Sequence, residues 1–215
     1  GIPGNFAHGG VGFGACAVAL KTLGLAAVLH QCGLRPPADT AALPVFDEIL
    51  VDIGANLTHD SFDRDRDEVL QRARDAGVTR MIITGASREH SPKALALAQA
   101  HPGELFATAG VHPHHAVEYT EECDAEMRAL HAHPEVVAVG ECGLDYFRDF
   151  SPRPAQRKAF ERQLQIAVDT QKPLFLHQRD AHADFMAMMK NFDGKLGPAV
   201  VHCFTGSREE LFDYL

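Results

Sequence analysis

Short apolar runs recur along the chain from residue 46 onward. Each holds three to five residues and shows no clean alternation of apolar and polar positions. That pattern is typical of strands buried on both faces of a parallel sheet. The predicted strands are Ile49–Ile53, Arg80–Thr84, Leu105–Ala109, Val136–Val139, Leu174–Leu176 and Ala199–Val201.

The segments between these runs have the apolar spacing of amphipathic helices. The positions that share a helix face are Val69, Ala73 and Ala76, then Cys123, Met127 and Leu130, and then Phe160, Leu164 and Ala167. Ser91-Pro92 places a proline at a predicted first helical position. Gly77 follows the first helix as a C-cap would. Ser207, with Glu210 three residues later, predicts a capping box.

Strands that alternate with helices imply a parallel sheet, which can be an open doubly wound sheet or a (β/α)₈ barrel. No G-x-G-x-x-G follows the first strand, and this removes one reason to choose the open sheet. In a parallel barrel all carboxyl ends of the strands meet at one face, where the active site lies. Polar segments at several strand ends therefore favour an α/β fold of the TIM-barrel type.

Those polar segments carry residues that can bind a metal. They are Asp52–Asn56, Gly110–His114, Gly140–Asp145, Leu176–Asp180 and Val201–Gly206. A single histidine at a strand end is usually a capping or core residue. Glu141, His177 and His202 follow three consecutive strands, however, and this favours a shared divalent cation. Such an ion activates water and polarises a phosphoryl or acyl oxygen, and Glu141 is the carboxylate best suited to bridge a second ion.

Three further polar residues lie outside this set. Arg179 either holds a phosphate with two hydrogen bonds or pairs with Asp180 or another acid. His131 and His133 come late in a predicted helix, and we expect both at the surface.

Residues 1–45 differ in composition from the rest. Eight of the 18 glycines lie there, and the first acidic residue is Asp39. The apolar stretch 11–29 contains many small residues and Lys21, which make it a poor membrane helix, and no basic segment precedes it as in a signal peptide. We predict a Gly/Ala-rich N-terminal extension outside the core at 1–45 and the barrel at 46–215.

The charge balance restricts the way in which nucleic acid could bind. A net charge of -9 argues against a broad basic binding face. Binding of a polyanion would need a local positive centre, such as a bound cation. The five cysteines are odd in number and form no C-x-x-C pair, which argues against a disulfide framework. We expect a cytoplasmic protein with no membrane association and no obligate protein partner.

Five segments together resemble the signatures of TatD-type deoxyribonucleases, in the same order and spacing. They are DIGANLT (52–58), AGVHPH (109–114), GECGLD (140–145), LHQRDAH (176–182) and VHCFTG (201–206). The resemblance implies an amidohydrolase-like TIM barrel that hydrolyses phosphodiester bonds of DNA, often as a 3′→5′ exonuclease, with one or two ions. Mg²⁺ is favoured, and Mn²⁺ or Zn²⁺ are alternatives.

The resemblance also implies roles for residues. Glu141, His177 and His202 match the family's metal ligands, and His112 matches a catalytic or phosphate-contacting histidine. We assign Asp145 a catalytic or supporting role beside the metal. Substrate-binding residues are predicted at Asn56, His114 and Arg179.

The sequence departs from the wider pattern at three places. Gly54 and Asn56 stand where the superfamily has a His-x-His pair, and Gln178 stands where the subgroup usually has cysteine. The family's aspartate ligand in an ETDAP-like segment does not occur before Leu215. Six βα units would leave two parallel edges open, so we expect this chain to be unstable or inactive by itself.

Three functions remain open at this point. The first is a deoxyribonuclease that acts on single strands or 3′ ends through a metal-activated water. The second is a hydrolase of another ester or amide, such as an aminoacyl-tRNA, at the same site. The third is a truncated, catalytically inactive fragment.

Overall fold

Six parallel strands form one sheet in which neighbours in the chain are also neighbours in space. The computed structural model describes residues 52–214. Its strands are β1 (Asp52–Ala55), β2 (Met81–Ile83), β3 (Leu105–Ala109), β4 (Val136–Asp145), β5 (Leu174–Arg179) and β6 (Ala199–His202). A doubly wound sheet reverses its strand order at a switch point. The unreversed order β1 to β6 therefore confirms the predicted α/β fold of the TIM-barrel type, as six consecutive βα units.

Helices follow every strand in the described part of the chain. They are α1 (Arg66–Asp75), α2 (His90–Ala100), α3 (Glu121–Leu130), α4 (Arg153–Thr170), α5 (His182–Lys190) and α6 (Arg208–Asp213). Short 3₁₀ segments lie at Asp60–Phe62 and Pro113–Glu118. Within residues 52–214, none of the helices has both the length and the apolar character that crossing a bilayer requires.

The core has two apolar clusters. One lies among β1, β2, β3, α1 and α2, and it includes Leu70, Ile83 and Leu105. The other surrounds α4 and the strands β4 and β5, where the fully buried rings of Phe160 and Phe185 stack with centroids 5.1 Å apart. The second cluster supports the strands that carry most of the candidate site.

Two strands end at least three residues later than their apolar patterns predicted. The predicted strand Val136–Val139 continues to Asp145, and the predicted strand Leu174–Leu176 continues to Arg179. Glu141 and His177 therefore lie inside strands instead of after them. The reason is that backbone pairing between β4 and β5 persists through Asp145 and Arg179, although the apolar pattern has stopped.

Glycines make this extension of β4 possible. Gly140 and Gly143 have φ values of 130° and 144°, a region that residues with a side chain rarely adopt. A Cβ atom at Gly140 would lie 2.0 Å from the carbonyl oxygen of Phe175, and one at Gly143 would lie 1.9 Å from that of His177. The two glycines thus allow β4 to run directly against β5 at the site.

The predicted helix boundaries are partly correct. Gly77 follows α1 with a φ of 85°, and Ser207 and Glu210 form both hydrogen bonds of the capping box, so these two predictions are confirmed. The predicted start of α2 is wrong, because the helix begins at His90 and Pro92 is its third residue. The side chain of Ser87 accepts a hydrogen bond from His90 N at 3.0 Å and starts the helical turn earlier.

His131 is not a surface residue, contrary to expectation. Its relative exposure is 4%, and its Nε2 lies 3.1 Å from the carbonyl oxygen of Ala109 at the end of β3. The neighbouring His133 is exposed, as predicted. The predicted extension at 1–45 and its boundary lie outside the described residues and stay predictions.

Candidate metal centre

Three histidines converge on the carboxylate of Glu141. Its Oε1 lies 3.2 Å from Nδ1 of His177 and 3.5 Å from Nε2 of His112. The same oxygen contacts Nε2 of His202. The side chains of Glu141 and His112 are only 10% and 11% exposed, so the cluster is largely shielded from water.

The strand register explains this convergence. His177 on β5 pairs with His202 on β6 and with Gly143 on β4. The loop after β2 fixes the other two members by backbone hydrogen bonds. Glu141 N donates to Gly85 O at 2.8 Å, and His112 N donates to Ala86 O at 2.9 Å. Residues from four strand ends thereby meet at one point, as the parallel barrel predicts.

Burial and hydrogen bonding set the charge of each group. Burial opposes ionisation of Glu141, but hydrogen bonds with His177 and His202 hold the pKa of its carboxyl well below the usual range. Burial also lowers the pKa of His202, yet its hydrogen bonds with Cys203 and Glu141 raise it to about 10. At His112 burial dominates and lowers the pKa to about 3. The cluster therefore pairs an ionised Glu141 with a protonated His202 and a neutral His112.

Asp145 lies on the outer side of the cluster and orients two imidazoles. Its Oδ2 is 2.7 Å from Nε2 of His114 and 3.2 Å from Nε2 of His177. Its Oδ1 accepts a hydrogen bond from Arg148 N at 2.8 Å. The side chain is 1% exposed, so it has no open face for a substrate. This placement favours a positioning role over the predicted catalytic one.

The proton on His112 is placed by a backbone contact. Nδ1 of His112 accepts a hydrogen bond from His114 N at 3.2 Å. A neutral imidazole has one donor and one acceptor nitrogen. Nε2 of His112 therefore carries the hydrogen and points it toward Glu141. In this arrangement His112 can donate a hydrogen bond on the side that faces Glu141.

The three predicted substrate-binding residues lie in different surroundings. His114 is beside the cluster through Asp145. Arg179 places its guanidinium carbon 3.9 Å from the ring centroid of Phe147, and no ion pair to Asp180 occurs within residues 52–214. Asn56 is exposed after β1, where its carbonyl oxygen accepts from His59 N at 3.2 Å. In the part of the chain that the structure describes, no hydrogen bond joins Asn56 to Glu141.

Two buried glutamines were not singled out from the sequence. The side chain of Gln156 accepts from Asp145 N at 2.8 Å and donates to Asp145 O at 3.1 Å. Gln163 makes the equivalent pair of hydrogen bonds with Val111, at 2.8 and 3.1 Å. The two lie seven residues apart on the same face of α4. Because Phe160 and Ala167 lie on the same face, the spacing of the two glutamines indicates in the sequence that both are buried.

Gln178, which stands where the family subgroup usually has cysteine, has a structural role. With its carboxamide oxygen turned toward the start of α5, it accepts from Ala181 N at 3.1 Å and His182 N at 2.7 Å. These are N–H groups at a helix start that lack partners within the helix. The glutamine therefore satisfies the end of α5 and lies outside the metal cluster.

The donor set fits a divalent cation. One ligand atom from each of His112, Glu141 and His177 lies within 4.8 Å of the others, and His202 adjoins them through Glu141. Imidazole nitrogens and a carboxylate oxygen are common ligands of divalent first-row metals and zinc. Protons on imidazoles now face the carboxylate, and a cation would replace them there.

Comparison with known proteins gives the family. A family model described as TatD related DNase matches residues 51–215. A protein of Pantoea vagans, named 3′-5′ ssDNA/RNA exonuclease TatD, is 51% identical over 162 residues, which are 75% of this chain and 62% of the relative. Its namesake in Musicola paradisiaca is 49% identical over 166 residues, covering 77% and 63%. The chain thus spans less than two thirds of the length of these curated relatives.

Solved structures agree with this result. The TatD homologue YJJV from Escherichia coli K12 superposes with a TM-score of 0.69 at 30% identity, covering 76% of this chain and 63% of that chain. A TatD family hydrolase from Entamoeba histolytica gives a TM-score of 0.64 at 32% identity, covering 76% and 60%. An uncharacterized amidohydrolase from Saccharomyces cerevisiae gives 0.65 at 27% identity, covering 75% and 63%. The fold, the candidate metal cluster and these matches together show that the chain belongs to the TatD-related DNase family.

Proposed function

We propose that this protein hydrolyses phosphodiester bonds of single-stranded nucleic acid at a divalent-metal site, and removes nucleotides from the 3′ end. The observation that carries the proposal is the convergence of His112, His177 and His202 on Glu141. The named activity of the relatives from Pantoea vagans and Musicola paradisiaca supports the same reaction.

Glu141, His177 and His202 would hold the cation. Bound there, the ion supplies Lewis acidity that polarises a phosphoryl oxygen and makes water a stronger acid. Asp145 can accept from Nε2 of His177, so that Nδ1 of this ring could bind the cation in place of its hydrogen bond with Glu141. Glu141 remains ionised at neutral pH, because His177 and His202 hold its pKa low.

The remaining polar residues would bind the phosphate group of the substrate. His112 can donate from Nε2 to a phosphoryl oxygen, because its Nδ1 is occupied by His114 N. Arg179 offers a planar guanidinium suited to phosphate, and its position beside Asp145 on the neighbouring strand brings it near the site. His114 and Asn56 are proposed as further substrate contacts.

The identity of the metal is the finer part of the proposal. The family resemblance favours Mg²⁺. Mg²⁺ prefers six oxygen ligands, however, whereas a site with two imidazoles and one carboxylate suits first-row metals such as Zn²⁺ better, and Mn²⁺ accepts both kinds of ligand. We therefore expect Mn²⁺ to support activity at least as well as Mg²⁺. One or two ions would bind, and Glu141 is the carboxylate best suited to bridge a second.

A second candidate reaction uses the same site. The amidohydrolase from Saccharomyces cerevisiae shares the fold, and an ion with an ionised carboxylate serves ester and amide hydrolysis as well. Turnover of an aminoacyl ester in the absence of any oligonucleotide cleavage would favour this alternative.

We also propose that the protein acts in the cytoplasm. Cys123 and Cys142 are buried thiols outside any disulfide. Burial raises the pKa of the Cys123 thiol to about 11, so it stays protonated and unreactive at neutral pH. Such cysteines are typical of a reducing compartment.

The test uses the full chain and a 5′-labelled single-stranded oligonucleotide with Mg²⁺ or Mn²⁺. Removal of single nucleotides from the 3′ end should give a ladder of products, and EDTA should abolish it. Glu141→Gln should lower the rate by at least about 100-fold, because it removes a charged ligand worth several kcal/mol of transition-state stabilisation. Glu161→Gln, at an exposed position of α4, is the matched control and should cleave like the wild type.

Three outcomes separate the alternatives. Cleavage that persists in EDTA, or that Glu141→Gln leaves intact, would contradict the metal-dependent nuclease. Metal-dependent turnover of esters or amides without any cleavage of nucleic acid would favour the second reaction. Metal binding without turnover of any substrate would favour a catalytically inactive fragment.

A further inference from the structure

Two large aromatic side chains stand exposed beside the proposed metal centre. Phe147 is 56% exposed and Phe150 is 65% exposed, and both lie in the short segment between β4 and α4. Val117, which is 60% exposed, adjoins this segment through a hydrogen bond from its N–H to Ser151. Clustered exposed apolar side chains mark interaction sites more often than isolated ones do.

Phe150 is linked to the metal centre through two side chains. Its ring centroid lies 4.7 Å from that of His114 in an edge-to-face contact. Nε2 of His114 is 2.7 Å from Asp145, which in turn contacts His177. A planar group stacked on Phe150 would therefore be separated from His177 only by the side chains of His114 and Asp145.

Phe147 is covered on one face by a cation. The guanidinium carbon of Arg179 lies 3.9 Å from its ring centroid, a cation–π contact. Arg179 pairs with Asp145 in the β4–β5 register, which places its backbone beside the end of β4. The large exposed fraction of Phe147 leaves ring surface available to a second planar group.

The charges nearby suit a phosphate backbone. Arg148 is exposed between the two phenylalanines, and Arg179 lies over one of them. The nearest acid in the segment, Asp149, faces Arg153 at 3.3 Å. Aromatic rings alternating with guanidinium groups form the surface on which single-stranded nucleic acid binds, since bases stack on rings and phosphates meet the cations.

We propose that Phe147 and Phe150 form a stacking platform for unpaired bases of a single-stranded nucleic acid. This inference rests on the proposed function and specifies how the substrate is recognised. In a duplex the base faces are already stacked on one another, so only unpaired bases can use the platform. The platform selects single-stranded ends and holds the adjacent phosphodiester beside Glu141 and His112.

The test measures binding to two strands of equal length and charge. One is a phosphorothioate-linked thymidine oligonucleotide and the other is its abasic counterpart, so the ratio of their dissociation constants isolates the contribution of the bases. Phe147→Ala and Phe150→Ala should each weaken binding of the base-containing strand by about 5- to 100-fold, with a much smaller effect on the abasic strand. Phe147→Tyr and Phe150→Tyr keep a flat ring and should restore the ratio.

Phe212→Ala is the matched control. Phe212 is 60% exposed and also lies beneath an arginine, with the Arg208 guanidinium carbon 5.6 Å from its ring centroid, but it belongs to α6. This variant should keep the ratio of the wild type. If Phe147→Ala and Phe150→Ala leave the ratio of the two dissociation constants unchanged, the proposal is overturned. This holds even if the variants melt at a lower temperature, because the rings would then contribute only to packing.

The experiment distinguishes a failure of the proposed stacking platform from a failure of the proposed nuclease activity. The phosphorothioate strand resists hydrolysis, so base preference is measured without turnover. Base preference in a protein that cleaves no strand would support the platform and contradict the proposed nuclease. A wild-type protein that binds both strands equally well would overturn the platform, even where cleavage is observed.

Discussion

Nε2 of His177 lies 3.2 Å from Oδ2 of Asp145, while Nδ1 of the same ring lies 3.2 Å from Oε1 of Glu141. The buried carboxylate of Asp145 can accept a hydrogen on Nε2, which would leave Nδ1 as an electron-pair donor once a cation replaces its hydrogen bond with Glu141. A carboxylate behind an imidazole in this way fixes both its tautomer and its orientation toward a metal. We therefore propose that Asp145 acts through His177 and His114, and not on the substrate.

Removing the charge of Asp145 should weaken metal binding. Asp145→Asn leaves a carboxamide that can turn an N–H toward His177, which favours the wrong tautomer. We expect the affinity for Mn²⁺, measured by isothermal titration calorimetry, to fall about 10- to 100-fold. Asp193→Asn, at an exposed position after α5, is the control. Equal affinities of the two variants would refute the positioning role.

The close approach of β4 to β5 depends on Gly143. Gly143→Ala would place a Cβ atom 1.9 Å from His177 O at a φ of 144°, and the backbone of both strands would have to move. We expect the free energy of unfolding in urea to fall by about 3 kcal/mol or more. Gly197→Ala is the control, because its nearest neighbours lie at 3.8 Å. A Gly143→Ala variant as stable as Gly197→Ala would show that the sheet adapts at this point.

Gln156 supports the end of β4 from α4. It is fully buried and bonds both the N–H and the carbonyl of Asp145. Gln156→Leu keeps the size but leaves these backbone groups without partners, so we expect a loss of about 2–4 kcal/mol in chemical denaturation. Gln165→Leu, on the exposed face of the same helix, should cost less than about 0.5 kcal/mol. A similarly small loss of stability in both variants would show that the hydrogen bonds of Gln156 do not stabilise the end of β4.

Acid should destabilise the protein through His131. Burial lowers the pKa of its imidazole to about 4, and the charges of Lys172 and Arg128 act in the same direction against the hydrogen bond to Ala109 O. The unfolded chain takes up this proton near pH 6.5, so stability is complete above that pH and falls as the pH decreases toward 4. His131→Gln should remove up to about 3 kcal/mol of this pH dependence, as measured by urea denaturation between pH 7 and pH 4.

His133→Gln is the comparison for that experiment. His133 lies two residues away and is exposed, so its substitution should leave the pH dependence unchanged. If His131→Gln and the wild type lose stability in parallel between pH 7 and pH 4, the acid sensitivity has another source.

The sequence predicted the features that follow from periodicity and from strand ends. The six strands, the cap at Gly77 and the capping box at Ser207 all correspond to local signals. Glu141, His177 and His202 come together because a parallel sheet aligns the ends of its strands, which a strand-by-strand prediction can use. Their assignment as ligands stays a prediction.

Other features depend on tertiary contacts and carry weak local signals. β4 continues past Val139 because glycines permit close strand contact, although glycine usually interrupts a strand pattern. His131 is buried because its ring reaches the end of β3, and its position at a helix end gave the opposite expectation. Gln156 and Gln163 satisfy distant backbone groups, whereas polar residues on a helix are normally assigned to its exposed face.

Anomalous diffraction at the Mn²⁺ absorption edge shows directly whether the cluster around Glu141 binds a divalent cation. Crystals of the full chain soaked with Mn²⁺ should show a strong anomalous peak beside Glu141, His177 and His202, about 2.0–2.3 Å from their ligand atoms. Crystals of Glu141→Gln, soaked in the same way, should lose that peak. A wild-type crystal with no peak at this cluster, or with its strongest peak elsewhere on the protein, would show that the cluster around Glu141 is not the metal site.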